Sequence, residues 1–244
     1  MVNIMTTITA KTQIYVSSDQ SKNLIATTNA YRNACNWLSK YIFQTKILKQ
    51  AKLNDLYYKQ LRGQFGLKSQ MAQSVMKTVI ARYKSAKSNG HEWSLIEFKL
   101  PEYDLVWNRD YSLTENKFSV NTLDGRIKLN YERKAMKKYF NGTWKFGTAK
   151  LVYKFQKWFL HIPVTKDFSE LDYADINNIV GIDLGINFLA TTYDSQGETT
   201  FYNGKIVKHK RGKFKATRKQ LQLRQTPSAR KKLKQIGSRE NRYV

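Results

Sequence analysis

Between Ile179 and Tyr202 the chain spells out a three-strand meander with a single acid set into its first strand. Ile179, Val180 and Ile182 form a short apolar run that ends on Asp183 and then Gly185. Phe188 to Tyr193 is a second β-rich run, Asp194-Ser-Gln-Gly is a turn signal, and Glu198 to Tyr202 carries enough Thr, Phe and Tyr for a third strand. A carboxylate buried in a strand costs several kcal/mol, roughly, unless it is paired or binds a metal. Asp183 is therefore expected to have a functional reason for its position.

The charge around this meander is strongly organised. Residues 1–166 carry 28 basic and 10 acidic side chains, residues 167–204 none and seven, and residues 205–244 fifteen and one. The formal net charge of +25 calls for a polyanionic partner, nucleic acid before membrane. Cys35 is the lone cysteine, and His91, His161 and His209 are scattered, so neither a disulfide framework nor a Cys/His zinc site is expected. No apolar run reaches membrane-spanning length, and the first residues lack the apolar core of a signal peptide. The expectation is a cytoplasmic protein, nucleoid-associated when bound to DNA, with no membrane and no small-molecule substrate.

Read in order, the chain opens on a strand, Thr6 to Val16, with Ile8, Ala10, Thr12, Ile14 and Val16 on one face. Ser18 or Asp19 is positioned to cap a long helix. On that helix Leu24, Thr28, Tyr31, Cys35, Leu38 and Ile42 make the apolar stripe, and Cys35 reads as core. A short helix over Asn54–Leu61 stops near Gly63 and Gly66, and another spans Ser69–Ala86 with Met71, Val75, Val79 and Tyr83 inward. Lys68, Lys77, Arg82, Lys84 and Lys87 line its polar side, either as a solvated face or as one that meets phosphates.

From Glu92 to Val164 the period changes. Leu95–Leu100, Phe118–Asn121, Arg126–Tyr131, Lys150–Phe155 and Trp158–Val164 read as strands, with turns at Asp124-Gly125, Asn141-Gly142 and Gln156-Lys157. They are expected to form a small antiparallel barrel completed by the first strand. Its interleaved aromatics either fill that barrel or stack on bases. The acidic stretch 167–178 reads as a linker. Beyond Lys208 the pattern is helical, and Thr226-Pro227 restarts a helix whose apolar points are Leu233 and Ile236. Arg230, Lys231, Lys234 and Arg239 surround them, suited to a nucleic-acid backbone.

Gly181-Ile-Asp-Leu-Gly-Ile-Asn followed by Leu189-Ala-Thr-Thr resembles the first catalytic motif of RuvC-type nuclease domains. More narrowly it is similar to the TnpB/OrfB transposase-like family of insertion sequences, relatives of the type V CRISPR effector nucleases. The resemblance implies an α+β chain: a wedge-like N-terminal β-barrel (1–166) interrupted by a helical recognition insert at 17–88, the 167–178 linker, and a partial RNase H-like (RuvC) α/β domain over 179–244. It implies guide RNA and double-stranded target DNA as partners, transposition as the biological setting, and a DNA endonuclease that holds Mg²⁺ through carboxylates. Asp183 matches the first of those carboxylates. By the same resemblance Gln73, in Ser69-Gln-Met-Ala-Gln73, stands where the family has a glutamine that reads the motif flanking the target, with Ser69 and Lys77 beside it. The family's later Glu, its Cys-x-x-Cys zinc ribbon and its final Asp are not matched in residues 1–244, so the sequence reads as a truncated member without zinc. Three functions stay open at this stage: a guided nuclease, a nucleic-acid-binding remnant or guide-dependent repressor that does not cut, and an actin-like ATPase, whose opening motif is similar.

Overall fold

The computed structural model describes residues 4–168, 177–185 and 187–243. The chain divides into two compact units, 4–168 and, among the described residues, 177–243. The fold is α+β, and every strand ladder is antiparallel.

In the first unit, β1 (Ile4–Tyr15) is followed by three helices, α1 (Ser18–Thr45), α2 (Gln50–Phe65) and α3 (Ser69–Ser88). Seven strands come after them: β2 (Tyr103–Leu105), β3 (Tyr111–Leu113), β4 (Phe118–Thr122), β5 (Gly125–Tyr131), β6 (Lys145–Phe146), β7 (Ala149–Lys154) and β8 (Lys157–Phe168). The strand order is β2-β7-β8-β1-β5-β4-β3, with β6 also on β8. The first strand thus sits mid-sheet and joins the two halves. The outer strands curl toward each other: Tyr111 on β3 donates its hydroxyl to the Gly147 carbonyl at 2.7 Å, and Trp107 stacks on Phe146 with ring centroids 4.7 Å apart. The result is a nearly closed barrel.

Tyr103, Tyr111, Phe118, Tyr131 and Trp158 are buried in that barrel, so the aromatics of this region chiefly make core. The helical stripes behave as their spacing dictates. Leu24, Thr28, Tyr31, Cys35, Leu38 and Ile42 are all buried, as are Met71, Val75, Val79 and Tyr83 across from them.

Several local expectations are corrected. The α1 cap is Ser17, one residue earlier than read: its side chain accepts from the Gln20 N–H while the Gln20 side chain accepts from the Ser17 N–H. That reciprocal pair satisfies two end donors at once, which neither Ser18 nor Asp19 does. Helix α2 is longer than Asn54–Leu61 and carries Gly63 inside it; the stop is Gly66, at φ 63°. Leu95–Leu100 is not a strand. Its backbone bonds to helix side chains instead of a neighbouring strand: the Ser39 hydroxyl donates to the Ile96 carbonyl at 2.6 Å, and Asn36 exchanges bonds of 2.7 and 3.0 Å with Phe98. Polar groups buried in the helix faces supply what a neighbouring strand otherwise would. Strands β2, β3 and β6, of two or three residues each, are too short to show a period in sequence.

The second unit has β9 (Val180–Asp183), β10 (Phe188–Asp194) and β11 (Thr199–Asn203) in a three-stranded sheet, then α4 (Lys205–Arg224) and α5 (Pro227–Tyr243). Strand β8 continues through Asp167 and Phe168, the start of the stretch read as linker, while 169–176 lie outside the described residues. No described helix is long and apolar enough to cross a membrane.

Candidate nucleic-acid interface

The α4–α5 hairpin shows how the sequence builds a basic surface. Gln225, at φ 52°, ends α4. The Thr226 hydroxyl then accepts from the Ala229 N–H at 3.2 Å, and Pro227 takes the first helical position, where its lack of an N–H costs nothing. Leu221, Ala229 and Ile236 are buried, with Phe214 and Leu233 against them. Outside that narrow seam Ile206 and Leu223 of α4 are exposed. Arg230, Lys231, Lys234 and Arg239 are all exposed. The hairpin's one acid, Glu240, is ion-paired with Arg218, whose guanidinium holds the carboxyl below its usual range.

Asp183 lies at the end of β9, opposite Thr191 of β10. It is exposed rather than buried. The desolvation argument that singled it out from sequence therefore does not apply to this chain. Ile182 on its strand is 66 % exposed and Leu184 beside it 79 %; nothing among the described residues covers that face. The meander's hydrogen-bonded carboxylate is Asp194. It accepts from the Glu198 N–H at 2.8 Å and the Gln196 N–H at 3.0 Å, and these bonds, the Glu198 one first, lower its pKa. Among the described residues no three His, Cys, Asp or Glu side chains come together as a metal-holding set.

The carboxylate the fold does bury is Asp110, in the turn between β2 and β3. Its Oδ2 accepts from the Val106 N–H at 3.0 Å, while Oδ1 has no hydrogen-bond partner among the described residues. Burial raises its pKa above the ordinary carboxylate value. It closes a turn of the barrel.

Ser69, Gln73 and Lys77 fall four residues apart along α3, on one face. Ser69 and Lys77 are exposed. Gln73 is engaged at both ends of its amide: Gln50 donates to its Oε1 at 2.8 Å, and its Nε2 donates to Asn54 Oδ1 at 2.5 Å. In this structure it ties α2 to α3. Among the described residues Gln73 bonds to neither Ser69 nor Lys77.

Sequence reading missed the alignment of charges across the sheet. Asp104, Lys150, His161 and Lys11 occupy one cross-strand row over β2, β7, β8 and β1. Lys150 sits 2.9 Å from Glu102 and 3.7 Å from Asp104. Burial alone would lower its ammonium, but the two carboxylates outweigh that and raise it. His161 is lowered by burial and then by Lys11. Only the register reveals this row; no local spacing in the sequence does. Beside it a cleft of about 710 Å³ opens between α1, α3 and the 97–104 segment, where Arg32, Arg82 and Lys99 face Glu97, Glu102 and Asp104.

Comparison with known proteins gives three findings. Residues 161–243, about a third of the chain, match the OrfB_IS605 family, described as a probable transposase. Two solved structures are similar: a CRISPR-Cas12f ternary complex, with TM-score 0.46, 14 % identity, 93 % of this chain and 58 % of that chain covered, and a Cas12f1–sgRNA–target DNA complex, with TM-score 0.44, 12 % identity, 99 % and 76 % covered. The chain thus spans less than two thirds of the first of these. No curated protein matches it.

Proposed function

We propose, for a chain whose residues 161–243 match the OrfB_IS605 probable-transposase family, a nucleic-acid-binding role of the TnpB/OrfB kind: it grips guide RNA and double-stranded target DNA, on the nucleoid, through backbone contacts that leave sequence reading to base pairing. The observation that carries this reading is the α4–α5 hairpin. It packs Leu221, Ala229 and Ile236 in one seam and turns Arg230, Lys231, Lys234 and Arg239 outward. A surface so rich in cations is matched by a phosphate chain, whose condensed counterions it would release.

The second unit is read as the front of an RNase H-like (RuvC) domain, with Asp183 as one oxygen donor to Mg²⁺. In phosphodiester hydrolysis such ions hold the attacking water and the leaving oxygen. An exposed carboxylate at the end of an edge strand does not by itself fix two ions, and the described residues offer no set of three donors. The chain of 244 residues is therefore proposed to bind without cutting. In this reading Ser69, Gln73 and Lys77 contact nucleic acid only if Gln73 exchanges its bonds to Gln50 and Asn54 for a base edge.

The test is a titration of the full chain with labelled single-stranded RNA and duplex DNA across a salt series, alongside a cleavage assay with guide RNA and Mg²⁺. Binding is expected to weaken steeply with salt. Replacing Arg230, Lys231, Lys234 and Arg239 by Ala should reduce the logarithmic salt slope on single strands by up to about 3. Salt-insensitive or undetectable binding would overturn the reading. Robust cutting that Asp183→Ala abolishes would overturn the non-cutting part alone.

A further inference from the structure

The tip of the β7–β8 hairpin carries side chains that its own backbone disfavours. Lys154 pairs with Lys157, leaving Phe155 and Gln156 as a two-residue loop. Both have left-handed φ, 54° and 61°. A two-residue loop with positive φ at both positions is the signature of a type I′ turn, which normally takes Asn-Gly, because a Cβ there is strained and a bulky side chain is an outlier. The pair that closes the loop adds a second local cost: two lysines stand directly opposite each other, and like charges so placed repel. Neither lysine has an ion-pair partner among the described residues.

The base of the hairpin is held firmly. Trp158 is buried, its Nε1 donates to Ser21 Oγ of α1 at 3.0 Å, and the Tyr153 ring lies against it with centroids 5.0 Å apart. The tip projects from this anchor. Phe155 is 39 % exposed and Tyr153 42 %, and the Lys154 ammonium lies 5.1 Å from the Phe155 ring. Backbone strain and like-charge repulsion persist where the surrounding structure enforces them, and such places cluster at ligand clamps. An exposed ring flanked by two cations with no carboxylate partner among the described residues, one of them bonded to Gln13 at 3.4 Å, fits a ligand with both a flat π-face and negative charge, which is the make-up of an unpaired nucleotide.

We propose that the hairpin tip, Tyr153–Trp158, is a stacking site for an unpaired base of a single-stranded nucleic acid, with Phe155 taking the base and Lys154 and Lys157 its flanking phosphates. This rests on the reading that the chain binds nucleic acid, and it names a contact site in the first unit, whereas that reading stands on the α4–α5 hairpin of the second. Duplex DNA, whose bases are stacked on one another, is not expected to use it.

The experiment uses the full chain and a single-stranded RNA of about 12 nucleotides, a length within the range such sites cover, with duplex DNA of equal length for comparison. Phe155→Asn combined with Gln156→Gly supplies the residues the turn prefers and removes the ring. This variant is expected to unfold at a higher denaturant midpoint than the native chain, yet to bind RNA about tenfold more weakly, with its duplex affinity and its salt slope unchanged. Phe155→Trp should retain RNA affinity within about twofold and show indole quenching on RNA addition. Lys154→Gln with Lys157→Gln should lower the RNA salt slope by about 1.4.

Native RNA affinity in the Asn-Gly variant would overturn the proposal, as would a loss shared equally by duplex DNA. Tighter capture of the native tip by anionic phospholipid vesicles than by RNA would overturn it in favour of a membrane surface. If RNA binding responds to the α5 substitutions and ignores the tip, only this inference falls. If the native chain binds no RNA, the proposed function falls with it.

Discussion

Strand β8 and the β9–β10 hairpin are written in the same alphabet and end in opposite environments. Trp158, Leu160, Ile162 and Val164 of β8 are buried, whereas Val180, Ile182, Phe188 and Leu189 of the meander are exposed. The first sheet curls on itself and is backed by the stripes of α1 and α3, forming one continuous core. Among the described residues of 177–243, buried side chains of any size are confined to the α4–α5 seam. Alternation decides which residues share a face, but burial requires a second layer to close over that face. Each fully buried Leu or Ile is worth roughly 1.5–3 kcal/mol, so the stability of the chain is concentrated in 4–168.

The sharpest way to break this contrast is a matched pair of truncations. Leu38→Ala, at a fully buried position, is expected to cost about 2–5 kcal/mol. Ile182→Ala, at an exposed one, should stay within about 0.5 kcal/mol. Urea unfolding followed by far-UV circular dichroism reads both units, while the five tryptophans, all in the first unit, report that unit alone by fluorescence. Hydrogen exchange should find 177–203 the less protected. Equal costs, or equal protection, would erase the difference between the two regions.

Asp110 probes the packed unit by its polar content. Asp110→Ala removes the acceptor of the Val106 N–H and is expected to cost about 1–3 kcal/mol. A smaller effect, about 1 kcal/mol, is expected for Ser17→Ala, which opens the α1 capping box. Both would be read from the denaturant midpoint, and a cost near zero for either would mean that the barrel and its helices are held less tightly than their burial implies.

The smallest expected effect is also the most specific. Burial raises the Asp110 carboxyl in the fold, so the folded chain holds that proton more tightly than the unfolded one. Its contribution is complete below the unfolded value of about 3.9 and is lost as pH climbs through the folded value. Asp110→Asn stays neutral throughout and keeps an acceptor for Val106. It should match the native chain within about 0.5 kcal/mol near pH 4 and gain on it toward pH 7. A native chain that instead gained on the variant over that interval would show Asp110 to be stabilised as an anion.

Much of the architecture was legible in the residues. The stripes of α1 and α3, the strands β4, β5, β7 and β8, and the Thr226-Pro227 restart all follow from periodicity and capping chemistry, which act within a few residues. The resemblance carried by Gly181 to Thr192 was legible too, and the family match over 161–243 agrees with it. Leu95–Leu100 is not a strand because its backbone bonds to Asn36 and Ser39, some sixty residues away. Asp183 was expected to be buried and Asp110 was not singled out, for a related reason. An acid between apolar neighbours looks buried, but only the covering layer makes it so, and that layer comes from elsewhere in the chain.

The sequence by itself determined the segregation of charge, the helical insert after the first strand, and the kinship of the meander, because each is written in neighbouring residues. The tertiary structure alone decided that β1 lies mid-sheet, that Gln73 bonds to α2, that Asp104, Lys150, His161 and Lys11 share one row, and that a phenylalanine is held in a left-handed turn at a hairpin tip. These depend on register and on contacts between distant segments, which hydrogen-bond pairing and packing set collectively and no local pattern encodes.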